Sequence, residues 1–383
     1  MVITLSTPSK KRPRGRNKKR KFILETGPQA EMLIKLRRRF LYVTKHYQVI
    51  LQQVTGATRR IRTPEAEDSN VIVKSLCSAL QNRFIVDVDI SEVVCNPSTD
   101  PITRSTIPKC KLPNSKFGHI SQPCTIVDRF GRILVWYFPN LLSNSHQDML
   151  LSATKSLDRL FSRSISRKHW RTNPSYFLQD NDTWTNGTKT FSPGWFALGH
   201  GNCPIAEIKA SCSIRKNMHR GVDKWLRGIN IPFKFLDHLL SMTHPPLYHA
   251  ATCALSKLRI NPLTKVYADQ WPTVFSGISP ITNRVTPEHK DNFGNVAWYD
   301  QVVTLGNYQS ATFNLPELGT TLEYGPGTVI QFCGNLLKHS VSSWEKGHRV
   351  CYASFFRQDV FKKLGVELPG WVTKDYYGLG LNH

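Results

Sequence analysis

The stretch Asn283-Arg-Val-Thr-Pro-Glu-His-Lys-Asp291 decides the fold, together with His339 and Arg349 further along the chain. If residues 289–291 are extended, alternate side chains face the same side, so His289 and Asp291 can reach one metal ion together. Two imidazoles and one carboxylate form the ligand set of a facial triad, which holds Fe(II) and leaves coordination positions open. We therefore predict that His289, Asp291 and His339 bind a metal.

A His-x-Asp pair alone is a weak signal, because thirteen histidines will produce such pairs by chance. The chain between the pair and His339 strengthens it, since short apolar runs alternate there with Gly, Pro and Asn turn residues. This rhythm predicts a meander of strands in a double-sheet barrel. The predicted strands cover residues 296–305, 311–315, 320–324, 328–333 and 349–356.

Arg349 begins the last of these strands, where alternation places Arg349, Cys351 and Ala353 on one face. An arginine in this position can hold the far end of a dicarboxylate through paired charge-assisted hydrogen bonds. The combination of His-x-Asp, a distant His and a following Arg therefore predicts a metal site with an anion-binding arginine beside it.

The amino-terminal half supplies helices and a few further strands. Together these patterns predict an α+β fold in which a double-stranded β-helix (jelly-roll) core is braced by helices. We find no internal repeat and no clean linker. The predicted helices are 29–54, 64–82, 143–163 and most of 203–262; a strand is predicted at 84–90 and a hairpin at 125–138.

Several short motifs resemble the TET/JBP family of 2-oxoglutarate/Fe(II)-dependent nucleic-acid dioxygenases, and most closely its fungal (basidiomycete-type) branch. The similarity runs from about residue 271 to residue 356. The motifs are residues 283–292 (NRVTPEHKDN), 298–300 (WYD), 305–306 (LG) and 324–329 (YGPGTV).

The resemblance implies Fe(II), 2-oxoglutarate and O2 as cofactors, with the iron on the predicted triad and Arg349 on the C5 carboxylate of 2-oxoglutarate. It also implies that Asn283 contacts the co-substrate and that Asn292 and Asn295 contact the target base, although both could be turn-forming asparagines. Arg284 would contact co-substrate or DNA, or pair with a carboxylate.

The implied reaction is oxidation of 5-methylcytosine in DNA to its hydroxymethyl, formyl and carboxyl forms. N6-methyladenine demethylation by the same iron chemistry is the alternative substrate. Two other classes stay open, namely a DNA-binding protein on an inactive barrel and an oxygenase that acts on a protein or small molecule. We divide the chain into a disordered basic tail (1–22), a basic amphipathic helix and loop (23–62), and the dioxygenase domain (63–383), with metal-binding strands mostly in 264–358.

The charge supports a nucleic-acid partner. The chain carries 51 Lys and Arg against 27 Asp and Glu, a net charge of +24, and residues 1–62 hold 17 of the basic residues and two of the acidic ones. A surplus of this size indicates a polyanionic partner. In the tail, Arg14 and Arg16 belong to an Arg-Gly-Arg core that resembles a minor-groove AT-hook. The same basic run predicts nuclear localisation.

Beyond the tail, basic residues flank the predicted helix 29–54 and its following loop. We predict that they contact DNA phosphates, with a solvated helix face as the alternative. These residues are Arg37, Arg38, Arg39, Arg59 and Arg60.

Nine cysteines without a C-x-x-C pair give no support for a zinc module, and their odd number favours reduced thiols. The amino terminus lacks a signal-peptide apolar region, and no run approaches 18 apolar residues. We therefore expect a soluble intracellular monomer that does not interact with a membrane.

Overall fold

The computed structural model of the chain describes residues 28–55, 66–95, 116–178, 184–196, 206–291 and 294–377. The predicted disordered tail lies outside these residues. So do five of the predicted DNA-binding residues, which are Arg14, Arg16, Arg59, Arg60 and Asn292.

Thirteen strands form the centre of the described fold. They are β1 (Arg83–Val86), β2 (Gly118–Ile120), β3 (Cys124–Asp128), β4 (Ile133–Phe138), β5 (Gly187–Thr188), β6 (Gly277–Thr282), β7 (Thr286–His289), β8 (Asp300–Gly306), β9 (Thr312–Leu315), β10 (Thr320–Glu323), β11 (Val329–Phe332), β12 (His339–Val341) and β13 (Arg349–Phe355).

These strands build two sheets. The larger has the order β1-β3-β4-β11-β8-β13-β6-β5, and the smaller has the order β2-β10-β9-β12-β7. Neighbours pair in antiparallel fashion except β1 with β3 and β10 with β2, which are parallel. A single cavity is lined by residues of both sheets, for example Val302 of β8 and Phe313 of β9. The predicted α+β fold with a jelly-roll core is confirmed.

Helices cover the outer face of the larger sheet, which explains why β3 and β4 are buried at every residue and contain long apolar runs. Helix α2 packs on β3 and β4, and α4 packs on β8. The helices are α1 (Pro28–Thr55), α2 (Ala66–Gln81), α3 (Ile90–Cys95), α4 (Asn144–Lys155), α5 (Asp158–Ser162), α6 (Cys212–Asn217), α7 (Val222–Gly228), α8 (Asn230–Thr243), α9 (Pro245–Ile260), α10 (Lys265–Ala268) and α11 (Gln358–Lys363).

Helix α1 confirms the predicted amphipathic helix. Its apolar residues Leu36, Phe40 and Val43 are buried in the same core as the sheets, and the helix packs on α2, α8 and α9. Arg37 and Arg38 lie on its exposed face. Within the described residues, no helix combines the length and the apolar character that crossing a membrane requires.

Two sequence predictions need correction. The strand predicted at 84–90 ends at Val86, because Asp89 accepts hydrogen bonds from the backbone and side chain of Ser91 at the start of α3. The helix predicted at 143–163 is divided into α4 and α5. Strands outside 264–358 also join the two sheets, since β2 pairs with β10 and β4 pairs with β11. Such long-range pairing leaves no local pattern in the sequence.

Candidate metal centre

The three predicted ligands meet at one edge of the smaller sheet. Strands β7 and β12 are antiparallel neighbours in which His339 lies directly opposite His289, with ring centroids 4.2 Å apart. Asp291 lies just beyond β7, and its carboxylate oxygens are 3.6 Å from Nε2 of each imidazole. The ligand atoms of the three side chains all lie within 4.8 Å of one another. Their predicted convergence is therefore observed, although Asp291 follows the strand and is not part of it.

Both imidazoles have the orientation that a metal ligand needs. Nδ1 of His289 lies 2.9 Å from the carbonyl oxygen of Pro287, and Nδ1 of His339 lies 3.0 Å from that of Leu337. Because a carbonyl only accepts, each Nδ1 carries the proton and leaves the Nε2 lone pair directed toward Asp291.

Burial also favours the neutral form of both rings. Burial, and then the neighbouring His339, lowers the pKa of His289 to about 4. Burial likewise lowers the pKa of His339. Neutral imidazole is the form that binds a metal, so the pair is ready to act as ligands at neutral pH.

A second carboxyl group lies next to the triad. A Cβ atom at Gly334 would lie 2.1 Å from a carboxyl oxygen of Asp300 and 3.4 Å from one of Asp291, so this position requires glycine. Burial, and then the nearby Asp291, raises the pKa of Asp300 well above its usual range. Burial and the neighbouring carboxylate thus both favour the protonated form of Asp300.

Arg349 is a buried cation that faces the same cavity. Its side chain is 2% exposed and donates to Thr304 Oγ1 over 3.1 Å and to the carbonyl of Arg284 over 3.3 Å. No carboxylate of the described residues forms an ion pair with it. A buried guanidinium without an anionic partner is unfavourable, so this geometry fits an arginine that receives the carboxylate of a ligand. Cys351 and Ala353 line the cavity beside it, as predicted.

Asn283 does not occupy the predicted co-substrate position. Its side-chain oxygen accepts the backbone N–H of Arg349 over 3.0 Å, and its amide group donates to Asn186 over 2.9 Å. Its backbone has a φ of 51°, in the left-handed region that asparagine tolerates. Asn283 is absent from the cavity lining and instead holds the backbone of Arg349 in place.

Arg284 reaches the cavity, as one of its predicted roles requires. It is 5% exposed, donates to the carbonyl of Arg171 over 3.1 Å, and forms no ion pair with a carboxylate of the described residues. Burial lowers its pKa to about 10. Two buried guanidinium groups, those of Arg284 and Arg349, therefore belong to one cavity.

The other predicted DNA contacts that fall within the described residues lie outside this cavity. The side chain of Asn295 accepts the backbone N–H of Ala297 over 2.9 Å, which corresponds to the turn-forming alternative. Arg39 packs on the ring of Tyr376 at 3.4 Å and donates to its carbonyl, so its guanidinium is engaged within the protein. Arg37 and Arg38 are exposed, but α1 contributes no residue to the cavity lining.

The sequence analysis missed two neighbours of the triad. Arg171 donates from Nη2 to Oδ1 of Asp291 over 3.1 Å, and the ring of Trp170 lies 4.8 Å from that of His289. Both belong to the run Arg167-Lys-His-Trp-Arg171, whose mixture of basic and aromatic residues was the available signal.

The cavity has a volume of about 660 Å³ and contains the triad, Arg284 and Arg349. Residues 206–358 match the family model of Tet_JBP, the oxygenase domain of the 2OGFeDO superfamily. This segment is therefore similar to the Tet_JBP oxygenase domain. It contains β6 to β13, and the family is one of 2-oxoglutarate- and iron-dependent dioxygenases. A match to this superfamily implies Fe(II), 2-oxoglutarate and O2, and the His-Asp-His triad of this chain is in place to hold the iron.

Two solved structures are similar to this chain. One is NgTET1 in complex with 5mC DNA, with 14% sequence identity and a TM-score of 0.42 over 63% of this chain and 79% of that chain. The other is a protein from Caulobacter crescentus assigned to the 2OG-Fe(II) oxygenase family, with 11% identity and a TM-score of 0.28 over 65% and 88% of the two chains. No curated protein matches the chain.

Proposed function

We propose that this protein is a 2-oxoglutarate- and Fe(II)-dependent dioxygenase that oxidises the methyl group of 5-methylcytosine in DNA. One observation carries the proposal. The triad of His289, Asp291 and His339 shares a cavity of about 660 Å³ with Arg349, a buried guanidinium that has no ion-pair partner among the described residues.

The residues present fit both the metal and the co-substrate. Two neutral imidazoles and a carboxylate suit Fe(II) and leave positions open for other ligands. Arg349 is placed to bind the distal carboxylate of 2-oxoglutarate through charge-assisted hydrogen bonds. When bound, the iron couples oxidative decarboxylation of 2-oxoglutarate to oxidation of a methyl group.

The protein's own contribution is to orient the reactants and to exclude water. Phe313 stacks on His339 at a centroid distance of 5.7 Å, and Phe332 packs edge-on against the same ring at 4.7 Å. This apolar packing holds one ligand rigid and limits water behind the triad. A site between two sheets cannot be reached by a base stacked within a duplex. The target nucleotide must therefore be flipped out or already single-stranded.

DNA is the proposed partner for two reasons. The net charge of +24 indicates a polyanion, and the motifs around the triad resemble those of the TET/JBP family. The same resemblance favours stepwise oxidation to hydroxymethyl, formyl and carboxyl forms. We further propose nuclear localisation, on the basis of the basic run at residues 9–21.

The test uses the full chain with Fe(II), 2-oxoglutarate and duplex DNA that contains 5-methylcytosine, followed by mass spectrometry of the released nucleosides. We expect 5-hydroxymethylcytosine to form, and the substitutions His289→Ala and Asp291→Ala to abolish it. His119→Ala is the control, because His119 is an exposed histidine of the smaller sheet outside the cavity. Full activity in either triad variant would refute the proposal.

The same experiment separates the alternatives. DNA that contains N6-methyladenine, supplied in parallel, reports demethylation by the appearance of adenine. An inactive barrel would give no product and no succinate, and titration with Fe(II) under anaerobic conditions would show no binding. An oxygenase with another substrate would bind iron and 2-oxoglutarate but leave every methylated base unchanged.

A further inference from the structure

The opening of the cavity can be located from the exposure of its lining. Among the described lining residues, only His169 and Cys212 are exposed, and all others are buried or half-buried. His169 precedes the short 3-10 turn Trp170–Thr172, and Cys212 begins α6. The exposed part of the cavity lining therefore lies in these two segments.

The first segment is basic where it reaches the opening. Arg163, Arg167 and Lys168 are exposed and lie within six residues of His169. Between residues 159 and 178 the chain contains no Asp or Glu. Because no acidic neighbour in sequence neutralises them, these cations give the rim a positive potential.

The second segment has the same character. On α6, Arg215 and Lys216 are three and four residues after Cys212, so helical spacing places them on its side of the helix. Both are exposed, as is Arg220 in the following turn. Residues 208–222 contain no Asp or Glu.

We propose that these six residues, the mouth cations, bind the phosphate backbone of DNA on both sides of a nucleotide that enters the cavity. The mouth cations are Arg163, Arg167, Lys168, Arg215, Lys216 and Arg220. The choice of DNA as the polyanion rests on the proposed function, while the position of the surface rests on the exposure and charge around the opening.

Two further observations favour a phosphate backbone as the occupant. None of the mouth cations forms an ion pair with a carboxylate in the part of the chain that the structure describes. Exposed cations in both of the segments that reach solvent suit a nucleic-acid strand, whose phosphates continue on both sides of an inserted nucleotide. Such contacts position the strand and carry no base information.

The first measurement is the salt dependence of binding by the full chain to a methylated duplex oligonucleotide. The variant is Arg167→Gln with Lys168→Gln, and the matched control is Lys362→Gln with Lys363→Gln, an adjacent exposed pair on α11 outside this cavity. Loss of two phosphate contacts should make the negative slope of log K (the DNA association constant) against log salt shallower by roughly two. It should also lower the affinity by roughly tenfold or more at ~0.1 M salt. The control should retain the slope of the unmodified protein. An unchanged slope in the mouth variant overturns the proposal.

A second measurement does not depend on a substitution. Cys212 is an exposed thiol at the opening, whereas Cys253 is half-buried on α9 outside the cavity. Saturating DNA should slow the alkylation of Cys212 by N-ethylmaleimide several-fold, as followed by peptide mass spectrometry, and leave Cys253 unaffected. Equal rates at Cys212 with and without DNA would place the bound DNA elsewhere.

The results distinguish a failure of this surface from a failure of the proposed function. If the unmodified protein oxidises DNA but the mouth variant keeps its salt slope, only the surface is wrong. If the protein consumes 2-oxoglutarate yet binds no DNA, the substrate class is wrong as well. Displacement of DNA by polyglutamate at equal charge concentration would indicate an acidic protein partner and would also overturn the proposal.

Discussion

Arg171 and Asp291, 120 residues apart in the sequence, form an ion pair in which Nη2 lies 3.1 Å from Oδ1. The other carboxylate oxygen, Oδ2, is the one that lies 3.6 Å from Nε2 of His339. Oδ1 thus accepts from the guanidinium and lies 3.6 Å from Nε2 of His289, while Oδ2 faces the second imidazole. Arg171 therefore orients the carboxylate of Asp291 toward the two imidazoles.

We predict that Arg171→Ala weakens Fe(II) binding by roughly tenfold or more, as is typical when an outer-shell partner of a ligand is removed. Anaerobic calorimetric titration measures the affinity directly. Arg171→Lys keeps the charge but loses the planar fork, so it should show an intermediate loss. Tighter iron binding in Arg171→Ala would mean that Arg171 competes with the metal for Asp291 and does not orient it.

Arg349→Gln should weaken 2-oxoglutarate binding by about 100-fold, because hydrogen bonds to charged groups contribute ~1.5–3 kcal/mol each and ~1.4 kcal/mol is a factor of ten. The unmodified protein should gain thermal stability when 2-oxoglutarate is added with Fe(II), since a ligand that binds only the folded state stabilises it. The variant should lose most of this gain but keep its affinity for Fe(II) alone. An equal thermal shift in both proteins would show that the co-substrate carboxylate lies elsewhere.

The sequence is sufficient to predict the triad and Arg349 because His289, His339 and Arg349 lie in short strands bounded by turn residues, and Asp291 follows two residues after His289. The antiparallel pairing of β7 with β12 then places His289 opposite His339. Arg171 could not be found in this way. Its contact with Asp291 depends on how the segment before Phe177 folds over the barrel edge, and no periodicity connects the two positions.

Asn283 illustrates a different limit. The sequence places a polar residue shortly before the metal ligands, and a contact to the co-substrate is a natural prediction from that position. In the structure, the Asn283 side-chain oxygen instead accepts the backbone N–H of Arg349, and its amide nitrogen donates to Asn186. These partners lie near Asn283 because β6 pairs with β13 and with β5. A local sequence pattern does not reveal such pairing.

Asn283→Ala should destabilise the protein by about 2–3 kcal/mol, through lost buried hydrogen bonds and through strain at a positive φ. Because the backbone of Arg349 loses a partner, KM for 2-oxoglutarate should rise more than the affinity for Fe(II) falls. Denaturant unfolding and initial rates measure the two effects. Asn283→Gly is the matched control for strain, since glycine adopts positive φ freely. If Asn283→Gly behaves like the unmodified protein, the amide hydrogen bonds are not what positions Arg349.

The buried imidazoles predict how stability and iron binding depend on pH. The pKa of His289 falls from 6.5 to about 4 on folding, so below pH 6.5 the unfolded chain binds a proton that the folded chain does not. The free energy of unfolding of the iron-free protein should therefore decrease as the pH falls from about 6.5 to about 4. Below about pH 4, His289 should cause no further change. Thermal unfolding with a chelator from pH 8 to pH 4 measures the effect. His289→Asn, which cannot titrate, should flatten part of this decrease. Iron binding, which requires the neutral ring, should persist to about pH 5 in the unmodified protein. A loss of iron near pH 6.5 would mean that His289 is solvated and that the site is more open than the structure shows.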